Sequence, residues 1–130
     1  MTSIAQTSTT ISMGSGRGIK TAPASDNGIT VTVRKSDLTE ATHFPDGFIP
    51  RLTWFIDDTG NPGYVKPATN APNTGDKVYC LVSDTDVPDN GSTIGLGCWF
   101  TGVGFYESAV TIGANDRDVA EAQGFSFHTF

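Results

Sequence analysis

Basic residues, cysteines and imidazoles are all scarce in this chain, and each shortage closes a class of function. Eight Lys and Arg stand against fourteen Asp and Glu, giving a formal net charge of −6 and a sequence pI near 4.5. A surface of that sign repels a phosphate backbone, so no direct nucleic-acid partner is expected. No window approaches the ~20 apolar residues of a membrane span, and no membrane contact is expected either. Residues 1–7 have neither the basic n-region nor the apolar h-region of a signal peptide, so the expectation is a chain made and folded in a cytoplasm.

The two cysteines, Cys80 and Cys98, do not make a disulfide framework. They lie in separate apolar runs that read as neighbouring strands, where they face each other across a hairpin. Whether they bond is left open, although buried free thiols in a reducing compartment behave as small hydrophobes and fill a core. His43 and His128 are the only two imidazoles. With neither H-x-x-x-H nor C-x-x-C spacing, a zinc site has nothing to grow from, and no metal or cofactor is expected. His128 reads as a strand residue and His43 as a loop residue beside Phe44 and Pro45. No serine stands in a G-x-S-x-G elbow, so no catalytic residue is assigned and the chain is read as non-enzymatic. Asp84, Asp86 and Asp89 approach a calcium loop, but Pro88 occupies a ligand position and no closing Glu follows. They read as solvated turn carboxylates. Gly14-Ser15-Gly16-Arg17-Gly18 has the spacing of no phosphate loop and reads as a turn.

What the chain has is glycine, proline, threonine, serine and asparagine. Fifteen Gly and seven Pro among 130 residues fit short strands joined by tight turns, whereas helices favour Ala, Leu, Glu and Lys. The length is that of one domain with a core of its own. Ile29-Thr30-Val31-Thr32-Val33-Arg34 alternates strictly, the pattern of a half-buried strand. Residues 51–57, 77–83, 94–100 and 105–112 read as further strands, and residues 125–130 as a final one. Single helical turns are expected near residues 36–41 and 119–123, and the polar, proline-bearing residues 61–75 read as a projecting loop. The predicted fold is all-β: a single small β-sandwich or partly closed barrel over residues 28–130, with at most one or two short helical turns. Residues 1–27, poor in apolar side chains, form an extended or flexible N-terminal arm. The expected core is Val31, Val33, Trp54, Val78, Cys80, Val82, Trp99, Phe125 and Phe127. Gly95, Gly97, Gly102 and Gly104 alternate, which in strands marks bends or close backbone approach.

The order Gly97-Cys98-Trp99-Phe100-Thr101-Gly102-Val103-Gly104, then Asn115-Asp116-Arg117-Asp118-Val119, then Phe125-Ser126-Phe127 is similar to the closing strands of tail-tube proteins. The overall character resembles the small virion structural proteins of tailed bacteriophages, tail-tube subunits and capsid decoration (cement) proteins. That resemblance implies a homo-oligomer in the virion, made in the host cytoplasm, whose partners are itself and other virion proteins. The expected assembly contacts are Thr2, Ile4, Ile11 and Ile19 of the arm and Tyr64, Val65 and Lys66 of the loop. The competing expectation is a lectin-like carbohydrate-binding module in which exposed Tyr64 and Tyr106 and nearby Asp residues take a glycan.

Overall fold

The alternating run becomes β2 (Gly28–Arg34), which pairs antiparallel along its whole length with β8 (Thr93–Trp99), from Gly28↔Trp99 to Arg34↔Thr93. A computed structural model describes residues 19–21 and 27–129. β8 continues onto β6 (Val78–Leu81), β6 onto β4 (Trp54–Asp57) and β4 onto β5 (Val65–Pro67), all antiparallel. One parallel pair, Val33↔Val65, returns β5 to β2 and closes a five-stranded barrel. Two smaller sheets flank it. β1 (Ile19–Thr21), β9 (Gly104–Tyr106) and β10 (Ser126–His128) form one, and β3 (Phe48–Ile49) with β7 (Thr85–Asp86) forms the other. The helices are α1 (Glu40–His43) and α2 (Ala114–Ala122).

Alternation along the barrel strands divides the apolar residues between two cores. Val33, Phe55, Val65, Leu81, Leu96 and Cys98 fill the barrel interior, with Val31 and Tyr79 packed against them. Trp54, Ile56, Val78, Cys80 and Trp99 point the other way, onto Val103, Phe105 and Phe125 of the flanking layer, with Ala120 of α2 behind them. Trp54 is clamped edge-on by Phe105 and Phe125, with ring centroids 5.5 and 5.3 Å away, and Phe127 stacks on Phe105 at 5.8 Å. Of the residues expected in the core, Val33, Trp54, Val78, Cys80, Trp99 and Phe125 are buried, while Val31, Val82 and Phe127 are half-buried at its margins.

Register decides the fate of the cysteines. Cys80 is paired with Trp99, and Cys98 with Leu81. A one-residue offset on adjacent strands places the side chains on opposite faces of the sheet, so Cys80 lies in the outer core and Cys98 in the barrel, both as free thiols. The facing pair expected from the sequence is therefore not formed.

Several local expectations change. Thr2, Ile4 and Ile11, and the glycine turn at residues 14–18, lie outside the described residues. Ile19 is not a free arm contact: it pairs with Phe105 in β1 and packs on the outer core. Residues 61–75 do not project as one loop, because β5 lies within them. Asp58 holds the β4–β5 turn by accepting from Gly60 N and Asn61 Nδ2, and Asp76 holds the far end through Thr59 Oγ1 and Asn73 N. Val65, expected as a contact, is 3% exposed and closes the barrel. The strand expected through residue 112 stops at Tyr106 and passes into a 3-10 turn, Glu107–Ala109. The glycines of β8 do not mark close approach, since a Cβ at Gly95 or Gly97 would meet open space.

The nine-residue α2 is longer than the single turn expected, and its cap is non-local. Asn70, with φ +64°, accepts from the backbone of Asn115 and Asp116 at 2.6 and 3.3 Å, satisfying first-turn donors that would otherwise be orphaned. At the other end Gln123 replaces a missing strand: its side chain accepts from Val78 N at 2.7 Å and donates to the carbonyls of Val78 and Phe100 at 2.9 and 3.0 Å.

Candidate functional site

Two features of the fold offer chemistry to a partner. The first is the outer edge of β2. Asn27 accepts from Phe100 N, and Lys35 donates to Ser92 O. Because bonded pairs alternate in an antiparallel ladder, the odd-numbered residues of β2 turn their backbone toward β8. Gly28, Thr30 and Thr32 turn theirs away. β5 reaches this edge only at Val33, so the polar backbone of Gly28 and Thr30 has no strand beside it among the described residues. A cleft of about 200 Å³ lined by Thr30, Thr32, Asp57, Tyr64 and Tyr79 lies along it, and a separate one of about 490 Å³ is lined by Ile29, Tyr79, Phe100 and Gln123. Ile29, the outermost of the three alternating apolar residues, is 44% exposed. Tyr79 donates to Asp57 Oδ1 at 2.9 Å, and burial followed by that carboxylate pushes its pKa up to about 12. It offers a rigid ring and no proton at neutral pH.

The second feature is a cleft of about 430 Å³ between α1, the segment leading into β4, and the start of α2. Its polar groups are the hydroxyls of Thr42, Thr53 and Thr111 with His43, Arg51 and Asp116. Asp116 is 1% exposed. Its Oδ2 accepts from Asn70 N at 2.7 Å, while Oδ1 has no hydrogen-bond partner among the described residues. The indole Nε1 of Trp54, in the same lining, is likewise buried and unpartnered among them. Buried polar atoms are nearly always hydrogen-bonded, and these two are exceptions among the described residues. His43 Nδ1 accepts from Thr39 N at 2.8 Å, which leaves the ring proton on Nε2, and partial burial lowers its pKa.

The residues singled out from sequence are scattered. Tyr64 lies half-buried at the β4–β5 turn with the Arg34 guanidinium 5.9 Å from its ring centroid, whereas Tyr106 ends β9 opposite His128, on a different sheet. They do not form one glycan platform, and Trp54 is held edge-on in the core. Lys66 is half-exposed within β5, paired with Ile56. His128 Nε2 lies 2.9 Å from Ser126 Oγ, far along the fold from His43. Asp84 accepts from Arg51 N. Burial raises the pKa of Cys80 well above that of an ordinary thiol and pushes that of Cys98 up to about 12, so neither supplies a thiolate near neutrality. Among the described residues no three His, Cys, Asp or Glu side chains converge on a point that could hold a metal ion.

Sequence reading missed Asp116, Asn70 and the indole edge of Trp54. The Asn-Asp-Arg-Asp run around Asp116 has turn chemistry, and the helical turn expected at residues 119–123 starts too late to include it, although Arg117 and Glu121, at i,i+4, do pair at 3.5 Å. Nothing near Asn70 announces a partner 45 residues away. Compared with known proteins, this chain is matched by no family model, no curated protein and no solved structure.

Proposed function

We propose that this chain is a non-enzymatic structural protein of a tailed-phage virion, a tail-tube subunit or capsid decoration (cement) protein, made in the host cytoplasm. Its partners are further copies of itself and other virion proteins. The observation that supports this reading is the outer edge of β2. Natural proteins blunt such edges with Lys, Pro or a bulge. Residues 28–32, Gly-Ile-Thr-Val-Thr, carry none of these, a cleft lined by Thr30 and Thr32 lies alongside, and Ile29 is exposed. A strand from a neighbour laid there would gain main-chain hydrogen bonds from Gly28 and Thr30 and apolar burial from Ile29, the economy of strand addition. Repetition of one such contact builds rings or tubes. Among the described residues the barrel closes through a single β2–β5 pair, and the rest of that seam offers room for a strand of a second chain. A net charge of −6 keeps packaged or transiting DNA at a distance.

Multi-angle light scattering with negative-stain imaging of the full chain tests this. The wild type should form concentration-dependent rings, trimers or polymers. Thr30→Pro deletes an edge N–H that faces away from β8, so it should keep the circular dichroism spectrum and lose the assemblies. Equal assembly by both proteins removes the edge from the argument, and a strict monomer at about 1 mM removes the tail-tube reading.

A further inference from the structure

We propose that Asn90 is a modification site: in the folded protein it deamidates through a succinimide to aspartate and isoaspartate, with water as co-reactant, while the fold protects Asn27 in the same Asp-Asn-Gly sequence. The inference is independent of the assembly reading, because it concerns the loop from β7 to β8 and can be read on a monomer.

The triplet Asp-Asn-Gly occurs twice, at residues 26–28 and 89–91. Deamidation asks two things of it. The glycine nitrogen must reach the side-chain carbonyl carbon of the asparagine, so the peptide joining them has to turn, and no Cβ on the following residue must shield that nitrogen. Both triplets meet the second condition, and local sequence makes them near equals. The surroundings decide the first. At Asn27 the main-chain carbonyl accepts from Phe100 N at 3.0 Å, which extends the β2–β8 ladder and fixes the peptide leading to Gly28. Its carboxamide packs on Gly102, where an added Cβ would lie 2.5 Å from Asn27 Nδ2 and 3.1 Å from Cγ. The reacting carbon leaves that contact when the end of β2 opens.

Asn90 and Gly91 lie in a run of exposed residues, 88–93, and neither is hydrogen-bonded to another described residue. The loop is held on either side of them: Lys35 Nζ donates to the carbonyls of Pro88 and Asp89, and Lys35 N to that of Ser92. Between those anchors nothing among the described residues fixes the Asn90–Gly91 peptide, and even a Cβ at Gly91 would meet nothing within 4 Å. The Gly91 nitrogen, giving its proton to water, bonds to Asn90 Cγ, and the bond from Cγ to Nδ2 breaks with release of ammonia. Water then opens the cyclic imide. Cleavage between Cγ and the Gly91 nitrogen gives aspartate, whereas cleavage between the main-chain carbonyl carbon and that nitrogen leaves the chain running through Cγ as isoaspartate. No oxidant or reductant is needed. Either product takes the formal net charge of −6 one unit further. Isoaspartate also lengthens the main chain between Asp89 and Ser92, both bonded to Lys35, so the change falls on the contacts that close the β2–β8 ladder.

Mass spectrometry of the full chain tests the proposal. The protein is aged in mildly alkaline buffer, at a concentration where light scattering reports a monomer. Trypsin then puts Asn27 and Asn90 on separate peptides, residues 21–34 and 78–117. The second peptide should gain the mass of amide-to-acid exchange, with fragment ions placing it at residue 90, at least about tenfold faster than the first, since Asn27 must wait for local opening. In concentrated urea the two rates should come within about threefold of each other, because the unfolded chain holds neither triplet. Equal rates in the folded protein overturn the proposal, and so does an Asn90 that stays intact in native buffer over the time in which urea converts both sites. A preference unchanged by urea would belong to the following residues, Ile29 and Ser92, and overturns the protection of Asn27 by the fold.

Discussion

Asp58 and Asp116 are both carboxylates withdrawn from water, 8% and 1% exposed, and the fold treats them in opposite ways. Asp58 is saturated: Oδ1 takes Gly60 N, Oδ2 takes Asn61 Nδ2, and the Arg34 guanidinium lies 3.5 Å away. The same Arg34 also grips Asp37 through two nitrogens at 3.1 and 3.2 Å, so the end of β2 and the β4–β5 turn are tied together. Asp116, the more deeply buried, has one donor on one oxygen and nothing among the described residues on the other. The contrast teaches that burial alone does not fix how many donors a carboxylate gathers.

The comparison can be broken by mutation. The largest effect is expected from Asp58→Ala, which strands the donors Gly60 N and Asn61 Nδ2 and leaves Arg34 with Asp37 as its remaining carboxylate. It should lower stability by about 2–3 kcal/mol, read as a fall in the urea midpoint at unchanged slope. Asn70→Gly tolerates the left-handed backbone and deletes only the α2 cap, so about 1 kcal/mol should be lost. Hydrogen exchange should then speed first at the amides of Asn115 and Asp116. Asp116→Asn preserves the one bond that Asp116 makes and should stay within about 1 kcal/mol of wild type. A loss as large as that of Asp58→Ala would show Oδ1 to be structurally engaged, and the distinction between the two carboxylates would collapse.

A fourth measurement should return no difference between variants. Cys98 rises from 9.0 to about 12 and Tyr79 from 10.0 to about 12, chiefly through burial, and Cys80 moves in the same direction. The folded state therefore holds these protons more tightly than the unfolded chain. Stability from this source is fully present below pH 9 and is lost as pH rises from 9 toward 12. Wild type and Asp116→Asn should fall along parallel curves, because the titrating groups lie in the barrel strands and not in the cleft. Diverging curves would mean that Asp116 is coupled to the barrel.

Much of the fold was legible because it is written in local pattern. Ile29, Val31 and Val33 share a face as their alternation requires, although burial grades from exposed to buried along them as β2 runs beyond the end of the barrel. Apolar runs located β4, β6 and β8 and placed Trp54 and Trp99 inside. What escaped was structure whose cause is distant in the chain. β5, Val-Lys-Pro, is too short to show a period and exists because β4 lies beside it along Phe55↔Pro67 to Asp57↔Val65. α2 begins where Asn70 caps it, and turn-forming residues at its start hid it. The cleft shares that dependence, since Asp116, Trp54 and Arg51 meet only when α2 packs over the approach to β4.

By itself the sequence determined that short apolar strands would alternate in and out, that acidic charge would cover the surface, and that Cys80 and Cys98 would sit on adjoining strands. Tertiary structure alone decided which faces those strands presented. A pleat reverses side-chain direction at every residue, so pairing Cys80 with Trp99 rather than with Cys98 was enough to send one thiol into the barrel and the other into the outer core. The same indifference of local pattern to distant partners left Asp116 looking like a turn residue until Asn70 took one of its oxygens.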